Sequence, residues 1–524
     1  MSLLNPQTAY IHTKFPDSSF WGRRRHVVRS KTLLAQLEML RKTGRCDAFR
    51  LKWKAVYNDP PAIWPVPKHL FWDSDVAKWI EGACYFLATD TESQNDDIQK
   101  AVNELVDTIG NAQQEDGFLN IHFTLVDPKS RWKNLRDMHE LYNAGHLIEA
   151  ALAHHHCFRN DQLLAPILKY VDLLCKSFGP NEQQIHGYPG HPEIELALLR
   201  LHRLTKDEKH LQLARFFIDE RGNPDSGGTG RHYYDIEKAA RGERPHEQPS
   251  FMPISTPYRY MQAHLPITQQ PTIEGHSVRA MYLLTGVADL SVLEQTSRAK
   301  YAEALQRLWS NMVHKKMYLT GGIGAIPAWE GFGQDYYLPQ GDDEGADGGG
   351  CYAETCAAIG VVMLAERLLR LELKGEYADI MELCLYNAVL TGMSHEGAAF
   401  TYVNQLASSD GNLNERNEWF EVSCCPPNVS RLLGSIGGYV WTVEETDKAV
   451  AINVHLYTAA ALKVPTSNGD VDITQTTKLP YGDGSILIST RTPERVSVTL
   501  RLRIPGWADS WEVYYICINR VFQY

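Results

Sequence analysis

No stretch of this sequence stays apolar for the roughly 18 residues that a membrane-spanning helix requires. No basic stripe stands out either. The 52 Lys and Arg are outnumbered by 63 Asp and Glu, for a formal charge of −11, which argues against a general nucleic-acid binder. The opening Met1-Ser-Leu-Leu-Asn-Pro lacks a basic segment leading into an apolar one, so no signal peptide is read and a cytoplasmic location is expected. Cysteine is sparse and irregular: ten in 524 residues do not make a disulfide framework, and reduced thiols are expected. Cys46, Cys84, Cys157, Cys175 and Cys384 sit among apolar residues and read as packing. The glycine cluster at 321–325 has no Lys-Ser/Thr after it, which excludes a phosphate loop. No exact internal repeat is present.

What is present is helical periodicity. Apolar residues recur at helical spacing from Asp73 onward and at 96–109, 139–156, 163–178, 192–204, 210–219, 276–284, 293–313, 354–373, 378–390 and 426–443. Several of these, such as 359–369, are apolar on nearly every side and predict inner helices covered all round. Sequential pairs joined by loops rich in Gly, Asp and His predict an (α/α) toroid, whose inner-helix N-termini surround a pocket. The pattern then changes. Val496, Val498, Leu500, Leu502 and Ile504 alternate with Ser497, Thr499, Arg501 and Arg503, the period of a half-buried strand, and 449–457 and 485–491 read the same way. The expected architecture is mainly α: a helical-hairpin barrel over 10–445, then β-sandwich material over 446–524.

Four local patterns carry chemistry. Cys424-Cys425-Pro426-Pro427 precedes a helix, and proline belongs in a first turn, so both thiols are placed near a helix N-terminus, where the dipole favours thiolate. A vicinal disulfide or two buried thiols are the plainer alternatives. Glu354 and Cys356 open another helix. In regular helix they lie about 200° apart, so they converge only where the backbone leaves helical geometry. With Cys424 and Cys425 they offer three sulfurs and one carboxylate, a sufficient set for tetrahedral Zn²⁺, with Cys351 as a competing sulfur. A closed structural site is the alternative there. Glu330 lies between Trp329 and Phe332 in a Gly-rich loop, where apolar surroundings would raise its pKa toward that of a general acid, with an exposed loop glutamate as the plainer alternative. Finally, His139, Tyr142 and His146 share one helix face, and His191 and His276 stand at loop–helix boundaries, together fitting a polar pocket lining.

These residues resemble a family. The segments at 139–150, 275–283, 320–324, 352–357, 385–387, 402–404 and 423–428, with Phe20-Trp-Gly and Arg503-Ile-Pro-Gly-Trp, are similar to the β-L-arabinofuranosidase family of glycoside hydrolases, in order from about residue 10 to 508. The resemblance implies an (α/α)6 barrel followed by a β-sandwich. It implies zinc held by Glu354, Cys356, Cys424 and Cys425, with Cys424 as nucleophile and Glu330 as general acid/base in a retaining mechanism. His146, His191, His276, Glu382 and Tyr402 match positions that hold the sugar. The implied substrate is a small glycoside or oligosaccharide of β-L-arabinofuranose, with a homodimer left open. An (α/α) barrel epimerase using histidines and a non-catalytic zinc-stabilised scaffold remain the other readings. The chain departs from the family pattern at the acidic, Gly-rich stretch 340–350, expected to reshape the pocket mouth, and after about residue 508, where an incomplete β-domain is expected.

Overall fold

The computed structural model describes residues 5–52, 68–89, 96–243, 258–341, 350–408, 415–446, 449–493 and 496–514. The acidic stretch of the sequence reading falls outside them from 342 to 349.

Among the described residues, twelve helices build the barrel: α1 (Leu33–Lys42), α2 (Trp72–Leu87), α3 (Asp96–Ala112), α4 (Glu140–Phe158), α5 (Leu164–Ser177), α6 (Ile194–Thr205), α7 (Glu208–Glu220), α8 (Ser277–Leu293), α9 (Gln295–Lys315), α10 (Thr355–Leu371), α11 (Gly375–Cys384) and α12 (Cys425–Ser435). The even-numbered helices touch in sequence, α2 to α4 and on to α12, and α12 closes against α2. Each odd-numbered helix from α3 to α11 packs on the even-numbered helix before it, and α1 covers the seam between α2 and α12. The result is an (α/α)6 barrel. Sequence explains the layering. Every residue of α2 from Trp72 to Phe86 is buried, as is all of α12, whereas α3 buries a stripe of Ile98, Val102, Leu105, Val106 and Ile109 and leaves its other face to water.

Two helix ends differ from the sequence expectation, each for a local reason. Helix α8 runs on past 284 to Leu293 because its polar residues are satisfied within the barrel. The Thr285 and Ser291 hydroxyls donate to the carbonyls of Met281 (2.7 Å) and Val287 (2.8 Å), and Asp289 pairs with Arg367 of α10 at 3.3 Å. Helix α12 stops at Ser435 instead of reaching 443. The chain then passes under the N-terminal segment, where a Cβ on Gly438 would lie 2.3 Å from the Pro6 carbonyl oxygen.

The described residues also form seven strands: β1 (Thr13–Lys14), β2 (Trp441–Thr446), β3 (Ala449–Val454), β4 (Ala460–Val464), β5 (Val471–Thr477), β6 (Ile486–Arg491) and β7 (Ser497–Leu502). They form sheets of order β1-β4-β5-β6 and β2-β3-β7, which share one core of Val450, Ile452, Leu462, Val471 and Ile473. Strand β7 is half-buried in alternation, as its sequence implied. Strands β2, β4 and β5 were not legible. The first residues of β2, 441–443, read as the end of a helix, β4 has five residues and includes Lys463, and β5 carries polar residues such as Gln475. Strand β1 comes from the other end of the chain, Thr13 pairing opposite Leu462.

Asp73, in the first turn of α2, is 1% exposed, and its Oδ1 accepts from the Ile121 N–H at 3.0 Å. Burial pushes its carboxyl up to about 7. Between pH 4 and 7 the folded chain therefore holds a proton that an unfolded aspartate, with a pKa near 3.9, has released. The stability this confers is complete below about pH 4 and is lost as the pH rises to 7. Asp73→Asn escapes that loss. Melting curves at pH 4.5 and 8 are expected to show the variant gaining on the parent at pH 8, by up to about 4 kcal/mol for three pH units. A melting gap that does not change with pH would contradict this.

Candidate active site

Five inner helices begin at the same end of the barrel with a chemically active side chain at the N-cap: His139 for α4, Glu193 for α6, His276 for α8, Glu354 for α10 and Cys424 for α12. Unpaired N–H groups and the positive dipole ends of these helices face one another there, which favours anions such as thiolate and carboxylate.

The sulfurs meet as the sequence suggested. Glu354 is extended (φ −60°, ψ 137°), so its side chain departs from helical phase and turns toward Cys356. Ligand atoms of Glu354, Cys356, Cys424 and Cys425 all lie within 4.8 Å of one another. Cys424 Sγ is 3.3 Å from Glu354 Oε1, and Cys356 Sγ is 3.3 Å from Cys425 Sγ. Cys424 and Cys425 are not bonded to each other; their sulfurs are 3.7 Å apart. Cys351 stays out of the cluster, its thiol 3.5 Å from the Asn404 carbonyl oxygen. Without a cation the group is frustrated. The neighbouring Cys356, then burial, push the Cys424 thiol up, and burial pushes up Cys425 and Glu354. Against burial, hydrogen bonds from Cys424 and Cys425 hold Cys356 down at about 6. Glu354 Oε2 is buried without a hydrogen-bond partner. Three soft sulfurs, one carboxylate and a spare oxygen fit a divalent metal ion.

Beside this cluster, Glu330 is held at both oxygens. Tyr352 Oη donates to Oε1 at 2.6 Å, and His276 Nε2 lies 2.9 Å from Oε2. His276 Nδ1 accepts the Val278 N–H at 3.1 Å, so the ring proton sits on Nε2 and points at the carboxylate. His276, Glu330 and Glu354 also lie within 4.8 Å of one another, but that tautomer makes His276 a donor, not a ligand. Glu330 adopts left-handed backbone (φ 54°), a conformation that costs about 1 kcal/mol or more in a non-glycine residue. Both the backbone N–H and the hydroxyl of Ser277 bind its carbonyl oxygen, at 3.0 and 2.9 Å. The glycines flanking this pair are required: a Cβ on Gly331 would lie 2.2 Å from the Gly275 carbonyl oxygen.

The expected raised pKa of Glu330 is corrected by the structure. Burial does raise it, but the donors His276 and Tyr352 and the charge of Arg279 outweigh burial and hold the carboxyl down at about 2. The resting group is a carboxylate. Burial pushes His276 below its ordinary range.

The other expected residues are placed unequally. His191 packs against Tyr142, His139 and His276 at ring separations of 4.4, 5.9 and 5.7 Å. Burial, then Arg279, keep His139 and His191 well below the ordinary histidine pKa. Tyr402 places its hydroxyl 3.2 Å from Cys424 Sγ. His146 is fully enclosed, its Nδ1 3.0 Å from Glu193 Oε1 and its ring against Tyr142, so it supports the floor. Glu382 is not brought to the site. It lies on the outer helix α11, where Oε2 accepts from Arg503 (3.0 Å) and Trp507 (2.9 Å) of the β-domain. The family resemblance had implied a sugar-holding position for Glu382, and the contacts with the β-domain take it elsewhere.

Sequence reasoning missed Tyr352, Arg279 and Lys78, the last bound to Tyr142 Oη at 2.6 Å on α2. Arg279 was recoverable, since it follows His276 by one helical turn. Its Nη2 reaches His139 Nε2 at 3.4 Å, and its guanidinium stacks 4.4 Å from the Tyr260 ring centre. Tyr352 gave no spacing signal, because its partner is on a separate loop.

Comparison with known proteins bears on this arrangement. Residues 16–438 match the family model "Beta-L-arabinofuranosidase, GH127 catalytic domain", and residues 451–519 match the GH127 middle domain. A "Non-reducing end beta-L-arabinofuranosidase" of Bifidobacterium longum is 35% identical over 456 residues, which cover 84% of this chain and 65% of that protein. The chain thus spans just under two thirds of that relative's length. A crystal structure of a GH127 β-L-arabinofuranosidase from Geobacillus stearothermophilus superposes with a TM-score of 0.82 at 37% identity, covering 95% of this chain and 75% of the other. A second solved GH127 β-arabinofuranosidase gives 0.78 at 32% identity, covering 96% and 72%.

Proposed function

This chain belongs to the GH127 β-L-arabinofuranosidase family, and from that premise we propose that it hydrolyses β-L-arabinofuranosides, with retention, through a thioglycosyl intermediate on Cys424. One observation carries the choice of nucleophile. Of the three clustered sulfurs, Cys356 (2% exposed) and Cys425 (0%) are sealed in, whereas Cys424 is partly exposed.

Glu354, Cys356, Cys424 and Cys425 would hold zinc, the divalent metal that thiolates favour. Bound there, zinc keeps the thiols deprotonated at neutral pH. The remaining work falls to the chain. His191, His276 and Tyr402 line the sugar's place, with His146 supporting from below. The Cys424 sulfur attacks the anomeric carbon while the leaving oxygen takes a proton from the Glu330–His276 pair. Glu330, a carboxylate at rest, is suited to the second step, in which it takes a proton from water attacking the thioglycoside. Since it rests ionised, its acid role requires a proton taken up as substrate enters. The free thiols among the described residues support a reducing cytoplasm as the location, and that location would suit short imported oligosaccharides as substrates.

The test is release of nitrophenol from 4-nitrophenyl β-L-arabinofuranoside by the purified, zinc-loaded chain, with the first-formed sugar identified by NMR. Release of β-L-arabinofuranose supports the reading. The α anomer as first product overturns retention, and no release from a folded, metal-containing chain overturns the substrate.

A further inference from the structure

We propose that Tyr352 is a positioning residue that holds Glu330 in the orientation needed to activate water, an inference that rests on Glu330 being the acid/base. The phenol is 7% exposed, and its hydroxyl is committed to Glu330 Oε1 at 2.6 Å. His276 holds the other oxygen at 2.9 Å. Two donors from two segments fix the plane of the carboxylate; one donor leaves it free to swing about the remaining bond.

The backbone around Tyr352 is built to deliver that hydroxyl. Its carbonyl oxygen accepts the Asn404 N–H at 3.1 Å. Next to it, the Ala353 N–H donates to the Gly324 carbonyl at 2.8 Å, and the Ala353 carbonyl accepts Asn404 Nδ2 at 2.9 Å. Ala353 itself is left-handed at φ 40°. This strained, fully tied residue separates Tyr352 from Glu354, so one short segment supplies a hydroxyl to Glu330 and a carboxylate to the sulfurs. The same tie carries Tyr402, whose carbonyl accepts the Thr355 N–H at 3.0 Å.

The two half-reactions load this clamp differently. Nitrophenolate leaves with little help from an acid, so formation of the thioglycoside from an aryl substrate makes small demands on Glu330. Its hydrolysis needs a carboxylate aimed at water. Removing the Tyr352 hydroxyl therefore slows the second step selectively.

In stopped-flow measurements on 4-nitrophenyl β-L-arabinofuranoside, Tyr352→Phe is expected to release one equivalent of nitrophenol per chain at a rate within threefold of the parent. Steady-state turnover then falls at least about tenfold, a partial loss of general-base assistance. Azide needs no base. It attacks the anomeric carbon, a C–N bond forms as the C–S bond breaks, and sulfur keeps the electron pair. Azide is therefore expected to restore turnover and give the glycosyl azide. The burst itself reports a folded chain with a working nucleophile. Steady-state turnover within twofold of the parent overturns the proposal, as does loss of burst and turnover together, or a slow steady state that azide does not restore. A parent chain that releases no nitrophenol refutes the glycosidase reading underneath, and the proposal with it.

Discussion

Cys424→Ser is expected to lower kcat/KM for an aryl β-L-arabinofuranoside at least about 10⁴-fold, toward the roughly 10⁶-fold that outright removal of a catalytic nucleophile costs. The substitution keeps the side chain's shape and its place at the N-cap of α12. It replaces a sulfur that ionises readily at a cation with a hydroxyl that does not. Cys424 alone among the clustered sulfurs is partly exposed, and its Sγ lies 3.2 Å from the Tyr402 hydroxyl, which can donate to it once it is ionised. Mass spectrometry of acid-quenched turnover separates the nucleophile from its fellow ligands. The parent chain should gain one pentosyl unit and the serine variant none. A serine variant with activity within tenfold of the parent would show that the reaction does not pass through this atom.

Stripping the metal with phenanthroline is expected to lower activity at least about 100-fold, because neighbouring thiols and burial then keep Cys424 and Cys425 protonated at neutral pH. One equivalent of zinc should restore it. The cluster joins α10 to α12, so the ion also ties the fold. An ion present at a thousand times its dissociation constant contributes about 4 kcal/mol, and in a chain of this size that moves Tm by roughly 4 °C. Loading should weaken as pH falls, since the ligands must shed protons to bind. Differential scanning calorimetry and metal analysis of the same sample check both halves. Full activity in metal-free protein refutes the zinc assignment.

How much of this was legible in the sequence depended on whether the signal was local. Inner helices such as α10 announced themselves because a helix buried on every side is apolar on nearly every side, Glu366 and Arg367 being its buried exceptions. Cys424-Cys425-Pro-Pro placed two thiols at a helix start because proline has few other places in a helix. The convergence of Glu354 with Cys356 was readable as a condition, namely a departure from helix at residue 354, and the extended backbone there meets it. What sequence could not supply was the environment made by distant segments. Glu330 looked apolar from Trp329 and Phe332, yet its ionisation is decided by His276, Tyr352 and Arg279, on other elements. The resemblance implied that Glu382 holds the sugar, yet the β-domain claims it. Strand β1 was invisible, since two residues have no periodicity and the partner lies at the other end of the chain.

The closure of the inner ring by α12 sets a timetable for synthesis. Until residue 435 has left the ribosome, the ring is an open arc, with the apolar flanks of α2 and α10 facing water. Such an arc invites aggregation, so the nascent chain has reason to remain loosely organised or chaperone-bound through most of its elongation. The same helix brings Cys424 and Cys425, so a complete metal-binding set does not exist before the barrel can close. If that set takes up its cation, capture and ring closure would be late events that coincide, and a shortage of the metal would leave the last seam poorly joined.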